Sequence, residues 1–163
     1  MNPRILVIVL VSTLCACGFH LRGHEKITST DSSNIVVLSS SAPNVSSEVT
    51  SLLNLGGAHI VTARDEADYI LTLSDETFDR QVLSVSAATG KVKEYQLTLN
   101  ARMSVSGKKG ENLVNNESVG VTRDYTFDDT SILGKSNEES VLREDLVKQV
   151  SMQIVRRFNA VTK

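Results

Sequence analysis

Few residues in this chain have the types and spacing that chemistry needs. Gly134-Lys135-Ser136 has the tail of a phosphate-binding loop, in which backbone amides cradle phosphate and the lysine adds a point charge. That motif needs a glycine five residues before Gly134. Asp129 stands there, and no buried strand precedes the segment to aim it. A loop leading into a helix cap is the simpler reading. His20 and His24 lie four apart beside Glu25, with His59 as the one further imidazole. Zinc needs three or four converging ligands, and the segment around the first two histidines has no helical period to converge them, so neither metal nor cofactor is expected. There is no G-x-S-x-G turn and no histidine in a cleft-like context, so no nucleophile and base can be paired and the chain is read as no enzyme. Asp75-Glu76 and Asp128-Asp129 read as solvated turn carboxylates. Three arginines hold more interest. Arg102 lies on the polar phase of a strand, Arg80 near a suspected bend, and Arg123 in the apolar phase of Val119, Val121, Tyr125 and Phe127. A cation in an apolar phase must find a partner, reach a sheet edge or sit at a bulge. Arginine forks suit phosphate and carboxylate. Ion pairs to Asp79, Glu94 or Asp124 explain any one of them, while a cluster at one end of the sheet would suit an anionic lipid.

The N-terminus carries a different chemistry. Met1-Asn2-Pro3-Arg4 has one positive side chain and no acid, and Ile5 to Val11 is an unbroken apolar run. This is the layout of a secretory signal, and the run is shorter than the roughly 20 residues that span a bilayer. Leu14-Cys15-Ala16-Cys17 follows, an aliphatic residue, two small ones and a cysteine, which resembles the bacterial lipobox. Cleavage before Cys17 and lipidation of its sulfur are therefore expected. Acyl burial is worth about 0.8 kcal/mol per methylene, so several chains on one cysteine make a lasting anchor. Residue 18 is Gly rather than the Asp that favours inner-membrane retention, which points to the periplasmic face of the outer membrane. Cleavage removes one arginine from the 17 basic residues and none of the 19 acidic ones, leaving the mature chain at −3. A general nucleic-acid binder would show a basic excess. Both cysteines lie in this N-terminal region, so packing alone, without a disulfide, must stabilise the remainder.

The elements that would position these residues can be read from periodicity. Residues 17–34 are polar and mixed, a lipidated tether. Asn34 to Leu38 reads as a short buried strand. After Pro43, a good first-turn residue, Val45, Val49, Leu52 and Leu53 share one helical face until Gly56-Gly57 stops it. His59 to Thr62 reads as a brief extended piece. Tyr69, Leu71 and Leu73 open a strand whose alternation weakens at Asp75-Glu76 and resumes around Val82, predicting a bulge there. A hairpin loop at 88–91 leads to the cleanest period in the chain. Tyr95, Leu97, Leu99, Ala101, Met103 and Val105 point one way, and Glu94, Gln96, Thr98, Asn100, Arg102 and Ser104 the other. A turn at 107–110 and a further strand follow. Ser136 with Glu139 forms a capping box, and Leu142, Leu146, Val150, Ile154, Phe158 and Val161 line one face of a helix near 137–161. The order predicts an α+β two-layer sandwich: a mostly antiparallel four-stranded sheet with two amphipathic helices on one face.

With the signal segment in view, Cys17-Gly18-Phe19-His20-Leu21-Arg22-Gly23 resembles the opening of the LPS-assembly lipoprotein family LptE. Ala67-Asp68-Tyr69-Ile70-Leu71, Glu94-Tyr95-Gln96-Leu97 and the amphipathic C-terminal helix extend the resemblance along the mature chain. It divides the chain into a signal peptide at 1–16, a lipidated tether at 17–34 and a single LptE-like domain at 35–163. It implies a fold like the sandwich reached above, and a lipoprotein that plugs the large outer-membrane β-barrel LptD and assists delivery of lipopolysaccharide to the outer leaflet. Family members contact lipopolysaccharide through basic side chains on the sheet and its loops. The best matches are Arg80 and Arg123, followed by Lys91 and Lys93 at the hairpin tip. The implied partners are thus the barrel, lipopolysaccharide and, through lipid on Cys17, the membrane. A generic outer-membrane lipoprotein module docking to another envelope complex is the competing expectation.

Overall fold

The computed structural model describes residues 33–126 and 135–162. The signal segment, Cys17, the tether to residue 32, Phe127, the 128–134 loop and the side chain of Ser136 lie outside the described residues. Seven elements run in the order β1 (Asn34–Ser39), α1 (Pro43–Leu55), β2 (His59–Ile60), β3 (Tyr69–Val85), β4 (Val92–Gly107), β5 (Asn112–Thr126) and α2 (Lys135–Val161). The sheet order is β2-β1-β3-β4-β5, with β1 parallel to both its neighbours and the β3-β4-β5 meander antiparallel. The four expected strands thus gain a fifth. The brief extended piece at His59–Ile60 joins the sheet by pairing with Asn34 and Ile35. Two residues carry too little periodicity to announce a strand, and it is the pairing with β1 that makes one.

The core lies between one sheet face and the two helices. Leu97, Leu99, Ala101 and Met103 of β4 have no exposed surface, and they meet Leu71 and Leu73 of β3, Ile35 of β1 and Val119 of β5. Val45, Val49 and Leu53 close over them from α1, and Leu146, Val150, Ile154 and Phe158 from α2. These are the stripes predicted by the 3.6-residue period. Each such side chain contributes about 1.5–3 kcal/mol on full burial. Tyr69 packs edge-on to Phe158 at 5.9 Å and donates its hydroxyl hydrogen to the Thr162 carbonyl, which secures the far end of α2.

Helix α1 stops in a Schellman motif. Gly57 takes a φ of 93°, the Ala58 N–H donates to the Leu53 carbonyl, and the Gly57 N–H donates to that of Asn54. Its N-terminus is capped from a distance. Ala42 offers no capping side chain, and the Glu76 carboxylate instead accepts the N–H groups of Asn44 at 3.1 Å and Val45 at 3.0 Å and the Asn44 amide at 2.7 Å. Glu76 reaches that position because β3 bulges between Ser74 and Thr77, with Asp75 at a φ of 52°. The bulge is stitched to the β1–α1 loop by the Asp75 N–H to Ser41 Oγ (2.8 Å) and the Glu76 N–H to the Ser41 carbonyl (3.1 Å). This corrects the solvated-turn reading of Asp75-Glu76. A cap taken from another strand leaves no local signature, because its donor and acceptors are about thirty residues apart.

Two substitutions separate these contributions. Glu76→Ala should cost about 1 kcal/mol, as loss of a helix cap typically does, with Glu76→Gln recovering part of it. Leu99→Ala should cost about 2–5 kcal/mol through the cavity it leaves. Urea unfolding of the full chain measures both. Glu76→Ala at wild-type stability would show that the cap is idle.

Candidate functional site

The register decides where the singled-out arginines go. In one cross-strand row Arg80 of β3 and Arg123 of β5 flank Leu97 of β4, and Leu97 is fully buried toward the helices. Both arginines therefore lie on the helix-facing side of the sheet, separated by two strand spacings, about 10 Å. Arg80 reaches this face because the bulge at Asp75 shifts the inward phase of β3. Leu71 and Leu73 point inward before it, and Phe78 opposite Leu99 and Arg80 opposite Leu97 do so after it. Arg123 finds the partner that its apolar phase demanded, and it does so on an edge strand.

Each guanidinium meets a carboxylate of α2. Arg80 Nη1 donates to Glu139 Oε2 at 2.9 Å, and Arg123 pairs with Asp145, which also accepts the side-chain amide of Gln149. The neighbouring row is aromatic. Tyr95 and Tyr125 stack with centroids 5.6 Å apart, and the Arg80 guanidinium lies 4.9 Å from the Tyr95 centroid. Arg143 of α2 covers the Phe78 ring at 4.7 Å. The Glu139 hydrogen bond and negative charge raise the pKa of Arg80 further above its usual value, outweighing desolvation. The Tyr125 phenol is also pushed above its ordinary value, first by burial and then by the Glu139 charge, with Arg80 opposing.

Lys91 and Lys93 are exposed and do not join this cluster. They follow the Ala87–Thr89 turn at the far end of the β3–β4 hairpin, and Lys93 is four residues along β4 from Leu97, about 13 Å. Arg102 lies on the opposite sheet face, near Asp75 at 3.6 Å and the Asn116 carbonyl. That face is mostly polar along β4 and β5. Thr98 and Thr122 share a hydroxyl hydrogen bond, Gln96 donates to Asp124, and Asn100 lies so close to Gly120 that a side chain there would clash. No helix covers it among the described residues. A cavity of 430 Å³ between the helices is lined by Glu48, Glu144, Arg143 and Lys148, two acids and two bases whose formal charges cancel. No described helix is long and apolar enough to cross a membrane.

The periodicity pointed to the arginines but not to their partners. Glu139 entered the sequence reading only through a cap and Asp145 not at all, because which helix turn faces which strand row is fixed by packing. The Tyr95–Tyr125 stack had a usable signal, since both tyrosines fall in the apolar phase of neighbouring strands.

Known proteins give the arrangement a context. A family model described as LptE, lipopolysaccharide-assembly, matches residues 28–158. The LPS-assembly lipoprotein LptE of Pectobacterium atrosepticum is 31% identical, with 97% of this chain and 86% of that protein covered. Its counterpart in Photorhabdus laumondii is 26% identical over 99% of this chain and 88% of that protein. Among solved structures, the rare lipoprotein B of Shewanella oneidensis superposes with a TM-score of 0.70 at 25% identity, covering 79% of this chain and 96% of that one. A lipoprotein B of Nitrosomonas europaea shares the fold at a TM-score of 0.73 and 23% identity, covering 89% and 92%.

The tyrosine stack makes one prediction. Above the ordinary phenol value of 10.0 the unfolded chain loses the Tyr125 proton before the folded one does, so folding stability falls as pH rises through the raised folded value. Tyr125→Phe should therefore lose stability less steeply than the wild type as pH rises above 10.0. Equal slopes in urea unfolding would contradict the burial of this phenol.

Proposed function

The chain belongs to the LptE family of lipopolysaccharide-assembly lipoproteins, and from that membership we propose that it is the outer-membrane plug of a large LptD-type β-barrel. Lipid on Cys17 holds it at the periplasmic face, and it works by binding and placement, without catalysis. The observation that carries the reading is the one-sided packing of the sheet. The β4–β5 face bearing Gln96, Thr98, Asn100, Arg102, Thr122 and Asp124 is polar and lacks a helix cover among the described residues. Such a face suits the water-lined lumen of an outer-membrane barrel, whose interior is polar. Leaving it bare is costly for an apolar surface and cheap for this one.

Lipopolysaccharide contact is assigned to Arg80 and Arg123, with Lys91 and Lys93 as outer contacts on the hairpin. Two guanidinium forks on one row offer charge-assisted hydrogen bonds to the phosphates of the lipid, and the planar fork matches a phosphate's oxygens. The hairpin lysines add point charges beyond them.

Purification of the full lipidated chain from outer membranes should bring down one large β-barrel protein. Recovery of a different partner, or of none from intact membranes, would overturn the plug reading. Lipopolysaccharide binding should fall in Arg80→Glu and in Arg123→Glu. Unchanged binding in both rejects those sites while leaving the plug untouched.

A further inference from the structure

Residues 138–145, the leading turns of the described part of α2, are attached differently from the rest of the helix. From Leu146 onward the helix is fixed by Leu146, Val150, Ile154, Val155 and Phe158, all without exposed surface. None of residues 138–145 is buried. Glu138, Ser140, Val141, Arg143 and Glu144 are exposed, and Glu139, Leu142 and Asp145 are half-buried. Leu142 is the apolar contact of this stretch with the core, and Val141 leaves 62% of its surface in solvent. Its other contacts include polar ones: Glu139 on Arg80, Asp145 on Arg123, and Arg143 over Phe78. Exposed ion pairs of this kind add little to stability, because water screens them and ordering the side chains costs entropy. A segment held in this way opens at far lower cost than the core turns behind it.

Resting on the lipopolysaccharide reading above, we propose that Glu139 and Asp145 are a displaceable cover over a two-arginine anion site. They hold the guanidinium groups of Arg80 and Arg123 apart and oriented until a ligand with two phosphate groups replaces them. Carboxylate and phosphate use the same fork of arginine, and phosphate brings more charge and more acceptor oxygens, so the exchange is one of like for like. The row geometry places the Cα atoms of Arg80 and Arg123 about 10 Å apart, within reach of two anionic groups on one ligand. The Tyr95–Tyr125 stack supplies a stiff floor, so Arg80 stays aimed when its carboxylate leaves. The cover also keeps two cations from collecting unrelated anions before the ligand arrives.

Two measurements on the full lipidated chain test this. The first is purified lipopolysaccharide binding by the double variants Glu139→Gln/Asp145→Asn and Arg80→Gln/Arg123→Gln and by the quadruple variant. Relief of two surface ion pairs should tighten binding of the carboxylate variant about three- to tenfold. The arginine variant should bind more weakly, and the quadruple variant should match it. Tightening that persists without the arginines would reduce the effect to net charge and overturn the cover, as would a carboxylate variant that binds no better than wild type. An arginine variant that binds like wild type would instead reject the lipopolysaccharide site itself. The second measurement is amide hydrogen exchange without ligand, which is independent of that site. Amides of 138–145 should exchange faster than those of 146–158, and faster still in Glu139→Gln/Asp145→Asn. Equal protection along the helix would overturn the cover alone.

Discussion

The structure depends on one constraint: β4 buries a single face. Leu97, Leu99, Ala101, Met103 and Val105 all turn toward the helices, and the alternating residues Gln96, Thr98, Asn100, Arg102 and Ser104 turn away. A strand in the middle of a meander imposes its facing on its neighbours, because directly opposed residues share a face. Val119 and Val121 of β5 therefore point inward, and the hydroxyls of Thr98 and Thr122 meet on the outside. With α1 and α2 packed on one side, the outer face of β4 and β5 carries mostly polar side chains and has little apolar surface to hide. It remains an open polar sheet, and the proposed role follows from what such a surface suits.

The helical layer shows two kinds of attachment. Over the core it is held by interdigitated aliphatic side chains. Toward the hairpin end the apolar side chains thin out, and arginine, carboxylate and aromatic contacts take over, from Phe78 and Arg143 to Arg80, Tyr95 and Glu139. Directional polar contacts fix orientation while adding little free energy. A segment of this kind can be well placed and still be easy to open, which is the property that a covered binding site needs. At the other end the Glu76 cap ties the β3 bulge to α1, and the same bulge brings Arg80 to the helix-facing side.

Much of this was legible from the residues. The period of β4 and the stripe of α2 specified both buried faces, and the break at Asp75-Glu76 marked the bulge. The placement of Arg80 was harder to read, since a one-residue irregularity inverts every later side chain of a strand and its position cannot be located from alternation alone. Glu76 looked like a solvated acid because its helix lies about thirty residues earlier. Strand β2 is too short to have a period. Arg123 is the instructive middle case: the apolar phase showed that it needed a partner, but only the helix packing named Asp145.

One-sided packing leaves the polar sheet face for the proposed barrel partner. The most direct test places a photo-crosslinking side chain at Thr98 or Thr122, in the centre of that face, and irradiates intact cells. If this face meets a barrel, both positions give covalent adducts with one large outer-membrane β-barrel protein. A correctly localised chain giving no adduct, or adducts with other proteins only, would contradict it.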